Sequence, residues 1–439
     1  MIVKVLRHKT ALVIQTVAIL FIVCSSSSVL AMKENRPFYS RAELAAIFRH
    51  SPLGPIPPDP TNKVANDPRA AKLGQFLFFD RRLSADGNVS CATCHQPTKA
   101  FTDGRRLAKG LAIGTRNTPT VLNTAYQKWY FWDGRSDSQW SQALQPLENP
   151  REAGSDRLHI AHLVASDPPL RKAYQQIFGP LPSLGDFKRF PAHARPDADQ
   201  KLPVARAWGR MTPADRIAVN RIFSNLGKAI AAYERKLVDR DSPFDRYVAD
   251  LRSGNPAAKH DISSAAKRGL RIFAGRGNCE LCHSGPTFSD NQFHNLGLPL
   301  PPGARADTGR AGGIRALKAD PFNAAGRYSD QRTGASEDHI AYLPAPQSQL
   351  GAFKTPSLRN VALSAPYMHD GRFASLDQVL EFYSKGKAAS RGRLVGIREA
   401  TANLVPHLSK RDKADLIAFL KTLTSPGLPT TLTEPPAAP

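Results

Sequence analysis

A Cys-x-x-Cys-His motif occurs twice in the chain, as Cys91-Ala92-Thr93-Cys94-His95 and as Cys279-Glu280-Leu281-Cys282-His283. No other feature constrains the fold so tightly. In each copy two thiols are placed to form thioethers with the vinyl groups of one haem, and the adjoining imidazole reaches the iron from the proximal side. Two covalently bound haem c groups follow, with His95 and His283 as iron ligands. The rival is a four-thiolate zinc knuckle built from both CxxC pairs. Against it, each pair is followed at once by His, and the pairs lie far apart, whereas a small knuckle closes a short loop.

The compartment implied is an exported one. Lys4, Arg7 and Lys9 form a basic start, Ala11 to Val23 an apolar run, and Val29-Leu30-Ala31 a small-residue cleavage site, so residues 1–31 read as a signal peptide. The apolar run is shorter than the ~20 residues of a spanning helix, which argues against a membrane anchor after cleavage. A periplasmic location is expected. With Cys24 in the discarded segment, the four remaining cysteines belong to the haems and none is left for disulfides. The formal net charge of +23 suits an acidic partner, steered by a field that salt would weaken, or simply a solvated basic surface. No nucleic-acid motif is present, and export argues against that partner.

An internal repeat supports two related halves. Ala70-Ala71-Lys72-Leu73-Gly74-Gln75-Phe76-Leu77-Phe78 precedes the first motif and Ala265-Ala266-Lys267-Arg268-Gly269-Leu270-Arg271-Ile272-Phe273 the second. Both read as short amphipathic helices leading into a haem-binding turn. A helix is expected from Thr212, which with Asp215 resembles a capping pair, with Ile217, Ile222, Phe223, Leu226, Ile230 and Tyr233 on its apolar face. Leu376 to Tyr383 and Lys413 to Leu423 have similar periodicity, and no alternating strand pattern of any length occurs. The expected fold is mostly α: two cytochrome c-like haem domains related by duplication, over 32–255 and 256–425, with long irregular loops. Segments 181–210 and 299–350 are long enough to be functional or mobile. The Pro-rich tail, 426–439, reads as a disordered end.

Several further blocks carry a family resemblance. They are Leu73-Gly74 to Cys94-His95, Asn117 to Asn123, Phe131-Trp132-Asp133-Gly134-Arg135, Gln142 to Glu152, the second haem motif, and Thr355 to Asn360 through Ala365 to Gly371. In this order they resemble the bacterial dihaem cytochrome c peroxidase and MauG family over most of the chain, and the MauG branch more closely. A peroxidatic haem needs an open coordination site and a nearby group that moves a proton between the peroxide oxygens. The resemblance puts Gln142, Pro146 and Glu152 on the distal side of the first haem, with Glu152 as acid/base and Pro146 narrowing the pocket. It puts Trp132 between the haems as an electron relay, and Asn117, Ser364 and Pro366 around a calcium ion, a hard cation that suits oxygen ligands.

Two departures from the plain peroxidase pattern set the expected chemistry. Many family peroxidases carry a distal His in the loop after the first motif, yet no His occurs here between His95 and His159. The first haem is therefore expected to be five-coordinate, with His159 and His162 as the rival intruders. Where family peroxidases have a Met as sixth ligand of the second haem, this chain has Tyr383, as in the MauG branch; Met368 is the rival. Methionine raises a haem potential, whereas a phenolate stabilises ferric and higher states. The MauG protein also has a surface Trp two residues before the first Cys of its second motif; here that position is Gly277. Trp129, Trp140, Trp208 and Tyr130 are alternative relays.

The resemblance implies a periplasmic haem-dependent peroxidase or oxidase. It would cleave hydrogen peroxide at the first haem and oxidise Trp or Tyr side chains of a partner protein through the second. The alternative enzyme is a cytochrome c peroxidase that draws electrons from a small c-type cytochrome. A dihaem electron carrier, with two six-coordinate haems, is the reading outside enzyme chemistry.

Overall fold

The computed structural model describes residues 38–254 and 262–439. The expected signal peptide, 1–31, and the expected domain boundary at 255/256 lie outside the described residues. Two compact units divide at 44/45. Of the first, the described residues 38–44 begin the helix Arg41–Arg49, where Ser40 Oγ accepts from Glu43 N at 3.2 Å and Glu43 Oε2 from Ser40 N at 2.7 Å. Among the described residues no helix is long and apolar enough to cross a membrane.

The second unit is mostly helical and is built on two crossed helix pairs. In its first half the helix Pro68–Phe79 crosses Pro213–Glu234, and Gly74 lets them touch: a Cβ there would lie 1.8 Å from the Ala229 carbonyl oxygen. In its second half Ser264–Ala274 crosses Lys410–Lys421, and Gly269 plays the same part, its Cβ position 2.0 Å from the Asp415 oxygen. These are the two glycines of the sequence repeat. The helix Pro213–Glu234 starts as expected, with Thr212 Oγ1 accepting from Asp215 N at 3.2 Å. Its buried face holds Ile222, Phe223, Leu226, Ile230 and Tyr233, but Ile217 is 36% exposed and sits off that face.

A second register relates the halves, and it runs further than the repeat just before each haem motif. One spacing separates Asn123 from Asn360, Tyr130 from Tyr367, Gly134 from Gly371, Ser138 from Ser375 and Pro146 from Tyr383. The geometry follows it. Asn123 and Asn360 both stand at φ 59°, and their backbone N–H groups donate to Leu237 O at 2.9 Å and Leu423 O at 3.0 Å, just past the closing helices. Tyr130 bridges Ser136 as Tyr367 bridges Phe373. The helices Gln139–Glu148 and Leu376–Lys385 follow, capped by the paired serines 138 and 375.

The long segments are packed into this frame. Within 299–350 the helices Arg310–Ala319 and Ala335–Ala341 form, and an antiparallel pair, β1 Phe293–His294 with β2 Phe353–Lys354, closes its base. This insert belongs to the second half in sequence but lies on the first: Asp330 pairs with Lys228 at 2.8 Å, and Phe322 and Tyr328 join the first half's core. Segment 181–210 contributes Leu184, Phe190, Ala194 and Trp208 to the same core. The tail, expected to be disordered, also returns to the first half. Tyr233 Oη donates to Leu432 O at 2.6 Å, Gln75 Nε2 to Thr431 O at 2.8 Å, and Leu428 and Leu432 cover apolar surface. A Pro-rich sequence cannot form a long helix, yet its prolines leave carbonyls free to be bound in this way.

Candidate haem centre and peroxide site

Each haem motif is aimed by a bent backbone. The helical turn Cys91–Cys94 ends at His95, whose Nδ1–H donates to Phe101 O at 3.1 Å; Phe101 stands at φ 58° to offer that carbonyl. His283 does the same with Phe288 O at 3.0 Å, Phe288 standing at φ 52°. With Nδ1–H so held, Nε2 keeps its lone pair for iron. Burial pushes both imidazoles below their ordinary pKa, which favours the neutral, ligating form. Burial also pushes the thiols of Cys91, Cys94 and Cys279 up to about 12, and no disulfide forms among the four cysteines. The zinc knuckle fails on geometry. Among the described residues the one grouping of ligand atoms within 4.8 Å of one another is Cys282, Asp290 and His294, so the four sulfurs do not converge.

Both motifs open on one continuous cavity of about 860 Å³, near the upper end of the ~300–1,000 Å³ range of ligand pockets. Cys94 and His95 of the first motif, Cys279, Cys282 and His283 of the second, and Trp132 all line it. The donor set, the mostly apolar lining and the size fit two haems.

On the first-motif side the cavity holds Gln142, Pro146 and Glu152. Pro146 sits inside Gln139–Glu148, where it has no N–H to donate to the Gln142 carbonyl one turn back, and the helix stops two residues later. Glu152 lies in the turn that follows. Asn149 Nδ2 donates to its Oε1 at 2.6 Å. Burial raises the Glu152 pKa, while the Arg135 charge and the Asn149 bond pull it back. Arg135 is fixed over the Phe131 ring at 3.4 Å and donates to Gln145 Oε1 at 2.9 Å. The roles of Arg135 and Asn149 depend on a fold that brings separate turns together, which their own sequence surroundings do not reveal. So does that of Glu234, 4% exposed on the closing helix, whose charge acts on Cys91 and whose pKa burial pushes up to about 8. A lone acid on an apolar helix face was its signal.

The loop after the first motif is tied down over this site. Leu111 N donates to Glu152 O at 3.0 Å and Ala112 N to Arg151 O at 2.9 Å, and Gly110 has no room for a side chain, its Cβ position 2.6 Å from Glu152 O. His159 and His162, the rival distal ligands, face elsewhere: their Nε2 atoms contact Arg82 O at 3.0 Å and Phe190 O at 3.2 Å, and neither lines the cavity.

Tyr383 and Met368 both line the cavity. Burial raises the Tyr383 phenol pKa, and Cys282 and Cys279 of the second motif act on it in the same direction. Trp132 Nε1 donates to Asn117 O at 2.9 Å and its own carbonyl accepts from Lys354 N at 2.8 Å. Asn117, Ser364 and Pro366 share the wall, with Asn117 Nδ2 turned to Arg105 O at 2.8 Å. Among the alternative relays, Tyr130 lines the cavity, Trp140 and Trp208 belong to the apolar core, and Trp129 lies under the Arg310 guanidinium at 4.0 Å. Gly277 has no space for an indole: its Cβ position is 2.6 Å from Ile272 O.

Residues 68–253 match the di-haem cytochrome c peroxidase family. The chain is 33% identical to the cytochrome-c peroxidase IdrP1 of Denitromonas iodatirespirans, over 85% of this chain and 86% of that protein. It is 32% identical to the methylamine utilization protein MauG of Methylorubrum extorquens, over 90% and 88%. A crystal structure of a MauG-like protein associated with microbial copper homeostasis superimposes with a TM-score of 0.58 at 26% identity, covering 88% of this chain and 98% of that one.

Proposed function

The chain belongs to the di-haem cytochrome c peroxidase family, a haem-dependent oxidoreductase family, and on that premise we propose that it is a MauG-type enzyme that uses hydrogen peroxide to oxidise Trp or Tyr side chains of a partner protein. Haems held by the first motif through His95, and by the second through His283 with Tyr383, would supply the two-electron redox chemistry. The observation that carries the finer reading is Tyr383 beside the second motif, in register with Pro146 beside the first.

The side chains then divide the work. Pro146 offers no donor atom and leaves room for peroxide, and Gln142 offers it an amide. Glu152, held by Asn149, takes the proton from the peroxide oxygen nearer the cofactor and delivers it to the farther one, which leaves as water. Overall, peroxide takes two electrons and two protons and becomes two waters, and the electrons come from the partner. Trp132, pinned at both its indole N–H and its carbonyl, is the ring we assign as the electron relay between the two sites. We assign calcium to Asn117, Ser364 and Pro366, and we place the mature protein in the periplasm.

One observation favours a second reading, peroxide reduction by a small c-type cytochrome: Gly277 has no space for the indole through which the MauG protein meets its substrate. Peroxide turnover measured with reduced cytochrome c and with Trp- and Tyr-bearing acidic proteins separates the two. The MauG-type reading expects new oxidised or cross-linked side chains on a protein substrate. Fast turnover with cytochrome c and no modified protein would replace it with the second.

A further inference from the structure

The register between the halves makes Lys354 the counterpart of Asn117. Its backbone is fixed, since Lys354 N donates to the carbonyl of Trp132, another residue of the cavity wall, at 2.8 Å. Its side chain lines the cavity and the residue is 9% exposed. Nζ donates to Gln127 Oε1 at 3.0 Å. An ammonium has three protons to donate, and an amide oxygen takes one without supplying charge. The acid that acts on Lys354 is Asp290, which is itself paired with His294 at 2.8 Å. Burying an ammonium without a counter-charge is costly, and burial duly pushes its pKa down to about 8. What such a site suits is a carboxylate that arrives with the cofactor. Haem c is held covalently through its vinyl carbons, and its two propionates enter any closed pocket as charges that must be met.

We propose that Lys354 is a carboxylate-binding residue that takes a propionate of one of the two haems at their junction. At the matching position the first half has a neutral amide, Asn117, so the second half carries its own cation there. The inference rests on both haems occupying the cavity and not on which partner is oxidised. A cation beside a propionate offsets the negative charge that stabilises ferric iron, and therefore raises that haem's potential.

Redox titration of the holoprotein tests this, with covalent haem content read by mass. Lys354→Met should lower the potential of one haem so that its oxidised-to-reduced ratio at a fixed potential rises about tenfold, ~59 mV for a one-electron couple. The haem that moves identifies the propionate. Lys354→Arg should stay within about threefold of the parent, and Gln127→Leu, which keeps the ammonium, should leave both haems in place. Two attached haems and no shift in Lys354→Met would overturn the proposal. Redox-difference infrared spectra with haem labelled with carbon-13 at its propionate carboxyls give a second test that needs only the parent and Lys354→Arg. A labelled carboxylate band must move between them, and identical bands would overturn the proposal equally.

Discussion

In the first half the helix after the Asp-Gly-Arg turn brings Pro146 to the cavity; in the second half the same register position brings Tyr383. The helices match in cap and in the turn that precedes them, and at this position their side chains differ in kind: a prolyl ring has no donor atom and a phenol has one. Three other pairs diverge on the shared frame. Asn117 corresponds to Lys354, Leu122 to Arg359, and Glu234 on the helix Pro213–Glu234 to Leu420 on Lys410–Lys421. The halves share one scaffold, and on the proposed function exchanges at matched positions let one haem site serve peroxide while the other is capped. That is economical, because the glycine crossings that set the scaffold are left untouched.

The comparison breaks most readily at the acid/base. Glu152→Gln should lower kcat/KM for peroxide about 10²–10⁴-fold with haem content unchanged. Burial raises the Glu152 pKa above its ordinary value, and the carboxylate must be ionised to take the proton. Parent kcat/KM should therefore rise with pH through a midpoint above the ordinary carboxylate value, and Glu152→Gln should lack that limb. A pH-rate profile of the two proteins decides it.

Next in size is the exchange at Arg359, whose guanidinium binds buried Asp245 with two bonds of 2.8 and 3.0 Å. Arg359→Leu copies the first half's Leu122 but strands the carboxylate, so about 3–5 kcal/mol of stability should be lost in denaturant titration. Burial pushes the Asp245 pKa up, yet Arg359 outweighs it and the net shift is downward. The contribution of this pair is present above the unfolded pKa, ~3.9, and fades as pH falls through the lower folded value.

Smaller and symmetric effects sharpen the shared frame. Gly74→Ala and Gly269→Ala each push a methyl group into a backbone carbonyl, at 1.8 and 2.0 Å before relaxation. Each should cost about 1–3 kcal/mol or more, and a large cost at one site with none at the other would deny that the crossings are equivalent. Ser138→Ala and Ser375→Ala remove matched caps, with Oγ accepting from Ser141 N and Gln378 N, both at 3.3 Å. About 1 kcal/mol each is expected from thermal unfolding.

What could be read from the sequence was local. The haem motifs, the paired glycine helices and the capped helix from Thr212 depend on contacts within a few residues or on a spacing repeated in the chain. The register from Asn123 to Asn360 was present in the same letters, though its value appears only once both asparagines are seen at one backbone angle beside the closing helices. Long-range packing was not legible. The insert of the second half lies on the first, and the tail is held by Tyr233 and Gln75, because carbonyls and apolar faces far away in sequence meet there. Ile217 shows the same limit, since an apolar residue at helical spacing need not face the core. At the site, Glu152 was found through its block, while Asn149 and Arg135, which set its orientation and charge, needed the fold.

The most direct measurement is electron paramagnetic resonance of the oxidised holoprotein, for the parent and Tyr383→Phe, before and after one equivalent of peroxide. The account predicts one high-spin and one low-spin ferric haem in the parent, loss of both signals with peroxide, and a changed low-spin signal in Tyr383→Phe. Two low-spin haems in the resting parent, or a second-haem signal indifferent to Tyr383→Phe, would contradict it.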